Sequence, residues 1–274
     1  MRPNALKAKF ARGEAAFGVN LMFPSVQLVE TFGLLGFDWV LLDCEHGAIS
    51  FESLAALTMA ADAAGITPIV RPPNNDDASI LRALDRGAHG IQVPHVDTAD
   101  DARRAVAAAR YHPFGERGLA PGTRATGYGV DFNAAQFVEH SNREVLVVVQ
   151  IEHRNALANL DEIVRVEGVD VFFVGPMDLS LSLGHPGKLD EPAVREAIER
   201  CFATIQGEGK IAGSSGGPAD VRRFRQLGGQ YLYTHFHGLL AEGVRRFRGV
   251  IDEPVAPGLQ DFIVDVGDGS SRGG

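Results

Sequence analysis

Short apolar runs and longer amphipathic stretches alternate along nearly the whole chain. The runs at 17–21, 39–43, 67–71, 90–93, 145–151, 171–174, 210–214 and 230–234 are rich in β-branched or aromatic residues, and several are apolar almost throughout. A strand without polar alternation is what a parallel sheet covered on both faces requires. Between the runs, Ala- and Leu-rich stretches with helical spacing occupy 26–35, 51–64, 78–86, 98–110, 156–164 and 192–208. Glycines at Gly36, Gly65, Gly87, Gly168, Gly209 and Gly228 follow or close helical stretches, as a left-handed helix stop would. The rhythm repeats about eight times, which predicts right-handed crossovers and one parallel sheet.

Such a sheet is either open and doubly wound or closed. No Gly-x-Gly-x-x-Gly turn follows the first strand, and the polar residues of interest fall just after several different strands. That distribution predicts a closed (β/α)8 barrel with its site at the C-terminal rim of the strands. The Gly-, Pro- and Arg-rich segment 111–142, containing PFGERGLAPGTRATGYG, breaks the rhythm and reads as a long functional loop on the active face. Residues 1–251 read as a single domain, and 252–274 as a Gly-, Pro- and Asp-rich tail, flexible or in contact with another subunit.

Composition narrows the function. A chain of 274 residues that is 45% hydrophobic can bury a large core, and a net charge of −9 disfavours nucleic acid or an anionic membrane as partner. Cys44 and Cys201 form no CxxC pair, and the opening MRPNALKAKFARGE lacks a signal-like apolar run, so a reduced, cytoplasmic protein is expected.

The chemistry-bearing residues lie after the strands. Asp43 and Glu45 precede His46 directly after WVLLD, where a carboxylate can orient an imidazole as a base. Arg71 closes TPIVRPP, held by two prolines, and suits a carboxylate or an enolate oxygen. Glu152 follows Gln150 in VLVVVQIEH, and a buried acid there calls for a cation. Asp178 follows Gly175-Pro176 in FFVGPMDLS; with Glu152 it offers the oxygen ligands a hard divalent ion takes, although two helix-capping acids would look the same. Asp85 reads as an ordinary helix-end acid. Ser214 and Ser215 follow strand seven, where barrels often bind anions, and His235 and His237 follow strand eight. The other histidines, His95 among them, show no ligand spacing.

GFDWVLLDCEHG, PIVRPP, YHPFGERG, VVVQIE and VFFVGPMDLS, in this order and spacing, resemble the HpcH/HpaI aldolase family from about Gly18 to Gly249. The resemblance implies a TIM barrel of the phosphoenolpyruvate/pyruvate type and a class II, metal-dependent lyase that cleaves a 4-hydroxy-2-oxo acid to pyruvate, or a pyruvate analogue, and an aldehyde. It implies that Glu152 and Asp178 ligate Mg²⁺, Mn²⁺ or Co²⁺. It casts His46 as the base, through metal-bound water, with Asp85 as dyad partner and Asp43 as a supporting acid. Arg71 would stand beside the pyruvyl oxygen, Gln150 would line the site, and the Gly175-Pro176 backbone would clamp the carboxylate. A homo-oligomer is implied, often a hexamer, with neighbouring subunits completing the site. The segments GLAPGTRATGYGVDF, GSSGGP and YTHFHG depart from the best-known sugar-acid aldolases and are expected to face the aldehyde half. A related CoA-thioester lyase of the citrate-lyase β type, or an oxaloacetate decarboxylase or carboligase, is the alternative. A Schiff-base route finds no lysine at the rim, since Lys7 and Lys9 precede the first strand, Lys188 lies in a loop and Lys210 begins strand seven.

Overall fold

The run-and-stretch alternation closes on itself. A computed structural model describes residues 2–250, and its eight parallel strands form one barrel in chain order. They are β1 (Ala16–Leu21), β2 (Trp39–Asp43), β3 (Thr67–Arg71), β4 (Gly90–Val93), β5 (Leu146–Ile151), β6 (Val171–Val174), β7 (Ile211–Ser215) and β8 (Tyr231–His235). The expected tail, 252–274, lies outside the described residues.

The strands obey a period of two, and it sorts the core into two clusters. Val19, Val40, Leu42, Val70, Ile91, Val147, Val149, Phe172, Val174 and Leu232 face outward and pack against the helices. The alternate positions Trp39, Leu41, Ile69, Val148, Phe173, Tyr231 and Tyr233 fill the barrel interior. Trp39 stacks on Tyr231 with ring centroids 4.0 Å apart, and Phe173 on Tyr233 at 5.2 Å. Small residues make room for these rings: a Cβ on Gly18 would sit 2.2 Å from Trp39 Cε2. The helix Ala5–Ala11 closes the barrel at the end where the strands begin, with Leu6 and Phe10 in the interior cluster.

The six helix-following glycines all adopt positive φ. Two element expectations need correction. The stretch 156–164 is divided into Arg154–Ala158 and Leu160–Ile163, because Asn159 breaks the first helix. The segment read as loop to 142 contains the helix Ala134–Glu144, started by the Asn133 side chain accepting from the Gln136 N–H at 3.1 Å.

The position of the irregular part, 110–133, also differs from expectation. It follows the helix Ala99–Ala109, whose C-terminal end lies where β5 begins, away from the rim. Arg124 donates to Asp62 Oδ2 at 2.5 Å, and Asp62 in turn meets His89 just before β4. The Ala125 N–H donates to the Asp85 carbonyl. The segment therefore caps the end opposite the rim within its own chain. The rim lies between a strand and its following helix, whereas this segment lies between a helix and the next strand.

Candidate active site

The inward parity that fills the interior with aromatic rings carries polar residues at the rim. In register, Asp43 lies beside Arg71 and Asn20 beside His235. Asp43 is fully buried, and both its oxygens accept from Arg71, Oδ1 from Nε at 2.9 Å and Oδ2 from Nη2 at 2.5 Å. The Glu45 and His46 N–H groups add donors to Oδ1. Burial pushes the Asp43 carboxyl up, but the Arg71 donors and charge outweigh it and hold it below the usual carboxylate range. Burial likewise disfavours the Arg71 cation, and its bonds to Asp43 raise its pKa above the ordinary value regardless. Asp43 is therefore the mount that fixes Arg71.

Glu152 stands just past β5, 4% exposed. Its Oε1 accepts the His95 N–H at 2.7 Å, and its Oε2 accepts from Gln150 Nε2 at 2.5 Å. Burial pushes its carboxyl above the usual range, and the charges of Asp178 and Glu45 act in the same direction against His95. Gly175 permits this packing, because a Cβ there would lie 2.9 Å from Glu152 Cβ and 3.1 Å from its Oε2. Asp178 occupies the first turn of the helix Pro176–Ser182 and is exposed. It shares with Glu152, His95, Asp97 and His153 the lining of a cleft of about 370 Å³.

His95, which carries no sequence motif, joins this group together with Glu45 from the acid–histidine cluster after β2. His95, at φ +56°, places its ring Nε2 3.0 Å from Glu45 Oε1 and its Nδ1 3.3 Å from Glu152 Oε1. Glu45 Oε2 is buried without a hydrogen-bond donor, although Arg71 Nη1 lies 3.1 Å away. The one signal His95 carries in the sequence is its position just past β4.

His46 is half exposed, with its Nε2 3.7 Å from Glu45 Oε2. Glu45 is thus the acid beside it within the chain. Asp85 ends the helix Asp77–Asp85 at the opposite end of the barrel, where it accepts from Arg117 Nη2 at 2.8 Å. A dyad of His46 with Asp85 does not form inside one chain, because a helix running back from the rim carries its last residue to the far end. Ser214 is also relocated. Its parity is outward, between Val174 and Leu232 in register, and its hydroxyl donates to the Val174 carbonyl at 2.9 Å. Ser215 takes the inward position, in register beside Tyr233. His235 ends β8 near Arg71; burial lowers its pKa, and the Arg71 charge adds to that. The Gly175-Pro176 pair offers no donors itself, since the Gly175 N–H is taken by the Ile151 carbonyl and proline has none. The N–H groups that the helix start leaves open are those of Met177 and Asp178.

Among the described residues, no three His, Cys, Asp or Glu side chains come together as a closed metal cage. Two carboxylates on one cleft, one of them buried against other negative charge, suit an oxygen-preferring divalent ion that takes its remaining ligands from water or substrate.

Comparison with known proteins identifies the family. A hydroxypyruvate/pyruvate aldolase from Sagittula stellata is 40% identical over 203 residues, 74% of this chain and 79% of that one. A 5-keto-4-deoxy-D-glucarate aldolase from Salmonella paratyphi C is 36% identical over 231 residues, 84% and 89% of the two chains. The crystal structure of an HpcH/HpaI aldolase/citrate lyase family protein from Burkholderia cenocepacia superposes with a TM-score of 0.86 at 30% identity, covering 91% of this chain and all of the other. The profile of the HpcH/HpaI aldolase/citrate lyase family matches residues 19–238. With barrel, rim chemistry and relatives in agreement, the chain belongs to the HpcH/HpaI aldolase/citrate lyase family and is a carbon–carbon lyase.

Proposed function

We propose that this protein cleaves a 4-hydroxy-2-oxo acid reversibly into an aldehyde and pyruvate or hydroxypyruvate, with a divalent cation held by Glu152 and Asp178. The observation that carries the reading is that these two carboxylates line one cleft, to whose His95 wall Arg71, held by Asp43, is linked through Glu45. The names of the two aldolase relatives support the substrate class. Oxygen donors suit Mg²⁺, Mn²⁺ or Co²⁺, and such an ion supplies Lewis-acid polarisation of the 2-oxo group and a template for the substrate.

The protein's own groups supply the rest. His46 takes the proton of the C4 hydroxyl, the C3–C4 bond breaks, and the aldehyde departs. The electrons left on C3 delocalise onto the C2 oxygen, where Arg71 stabilises the developing charge. The Met177 and Asp178 N–H groups bind the 2-oxo acid carboxylate, and Gln150 keeps Glu152 turned toward the cleft. His46 then returns a proton to C3.

Asp85 acts, in this reading, on the His46 of another copy in a homo-oligomer, a hexamer by family resemblance. Phe114, Leu119, Tyr128 and Val130 are exposed on the segment around Asp85, and a second copy would cover them. The cytoplasm is the proposed location, in keeping with two free cysteines; no described helix is long and apolar enough to cross a membrane.

The test is pyruvate release from a panel of 4-hydroxy-2-oxo acids, with EDTA and with added Mg²⁺, Mn²⁺ or Co²⁺. Turnover is expected only with metal and is lost in Glu152→Ala and Asp178→Ala; full turnover in metal-free protein would refute the reading. Mixing inactive His46→Asn and Asp85→Asn variants tests the shared site, since mixed oligomers should regain activity and isolated chains should not.

A further inference from the structure

Beneath the rim, a run of hydrogen bonds crosses the barrel interior and ends on Glu152. The Tyr231 hydroxyl donates to Gln92 Oε1 at 3.0 Å, Gln92 Nε2 donates to Gln150 Oε1 at 2.5 Å, and Gln150 Nε2 donates to Glu152 Oε2 at 2.5 Å. The residues come from β8, β4 and β5 and are at most 4% exposed. The buried polar atoms left unpaired in this protein, Glu45 Oε2 and Asn20 Oδ1 among them, include none from this run.

The direction of the run is dictated by its end. A carboxylate that ligates a cation is ionised and only accepts, so Gln150 must turn its NH₂ toward Glu152 and its oxygen toward Gln92, which fixes Gln92 in turn. Reversing either amide would place two acceptors face to face in a dry interior. Trp39, stacked on Tyr231, holds the first member in place. At the far end each Glu152 oxygen receives one donor, Oε1 from His95 and Oε2 from Gln150, and keeps a further lone pair for a cation.

We infer that Gln92 and Tyr231 are positioning residues for cation binding, acting on Glu152 through Gln150 without touching substrate. The inference rests on the reading of Glu152 as a metal ligand. Outer partners of metal ligands commonly govern affinity by about 10–100-fold.

The experiment titrates metal-stripped, full-length protein with Mn²⁺, following the free ion by electron paramagnetic resonance, and records thermal unfolding in parallel. Gln92→Met keeps the length of the side chain and removes its hydrogen bonds; the Mn²⁺ dissociation constant should rise by about tenfold or more. Tyr231→Phe removes one oxygen and leaves the stack on Trp39, and the constant should rise about threefold to tenfold. If Gln92→Met does not fold, Tyr231→Phe decides alone. Val148→Ala, an interior cavity outside the run, should lower the unfolding temperature and leave Mn²⁺ affinity unchanged. Wild-type affinity in both run variants, or an equal loss in Val148→Ala, would overturn the inference. A wild-type protein that binds no Mn²⁺ would instead overturn the metal reading and this inference with it.

Discussion

The two ends of this barrel handle acidic side chains in opposite ways. Where the strands begin, each buried or half-buried acid has its own cation. Lys9 meets Asp38 at 2.6 Å, Lys7 and Arg110 meet Asp170 at 2.8 Å each, and Arg2 and Arg124 share Asp62. At the rim, Arg71 is taken up by Asp43 with two bonds and lies 3.1 Å from Glu45, while among the described residues Glu152 pairs only with the ring of His95 and Asp178 is exposed on the same cleft. A closed set of ion pairs stabilises the fold and has no capacity for a ligand. An open, acid-rich set costs stability and gains it back when a cation arrives. The difference separates a structural end from a reactive one without reference to any relative.

Substitutions at the two ends should therefore have different consequences. The largest effect is expected for Arg71→Ala, which leaves Asp43 buried and unpaired. Turnover should fall by about 10²–10³-fold, and stability by about 3–5 kcal/mol, read by pyruvate release and denaturant unfolding. Gly175→Ala should come next. Its Cβ would press on Glu152 at 2.9 Å, weakening cation affinity by about tenfold or more in a Mn²⁺ titration.

At the other end, Asp62→Asn should leave turnover unchanged and cost about 1–3 kcal/mol, since two arginines lose their partner. Burial raises the Asp62 carboxyl, but His89, Arg2 and Arg124 together hold it below the ordinary value. A depressed acid contributes stability that is fully present above its unfolded pKa of about 3.9 and is lost as pH falls through the folded value. The acid limb of the stability curve, below about pH 4, should flatten in Asp62→Asn. The smallest effect is expected for Ser214→Ala, about 1 kcal/mol of stability for one lost hydrogen bond and unchanged turnover.

The barrel was legible in the sequence because the physics that closes it is local. Apolar runs mark strands covered on both faces, and glycines mark where helices stop. The residues on the inward parity at the rim were legible for the same reason, as with Asp43, Arg71, Gln150 and Glu152. What could not be read was direction. Asp85 and the 110–133 segment lie near the rim in sequence order, yet the helices before them return the chain to the opposite end. Ser214 and Ser215 are neighbours in sequence and point to opposite sides of a strand, so choosing between them required the register of β7 against β6 and β8. His95 and Gln92 carried no motif at all, and only coordinates bring them to Glu152.

The central claim is that Glu152 and Asp178 grip one divalent cation at the rim. Anomalous diffraction from crystals soaked in Mn²⁺ addresses it directly. A single strong peak within about 2.5 Å of an oxygen from each carboxylate is the predicted result. A peak elsewhere, or none at this cleft in crystals of an enzyme active with Mn²⁺, would contradict it.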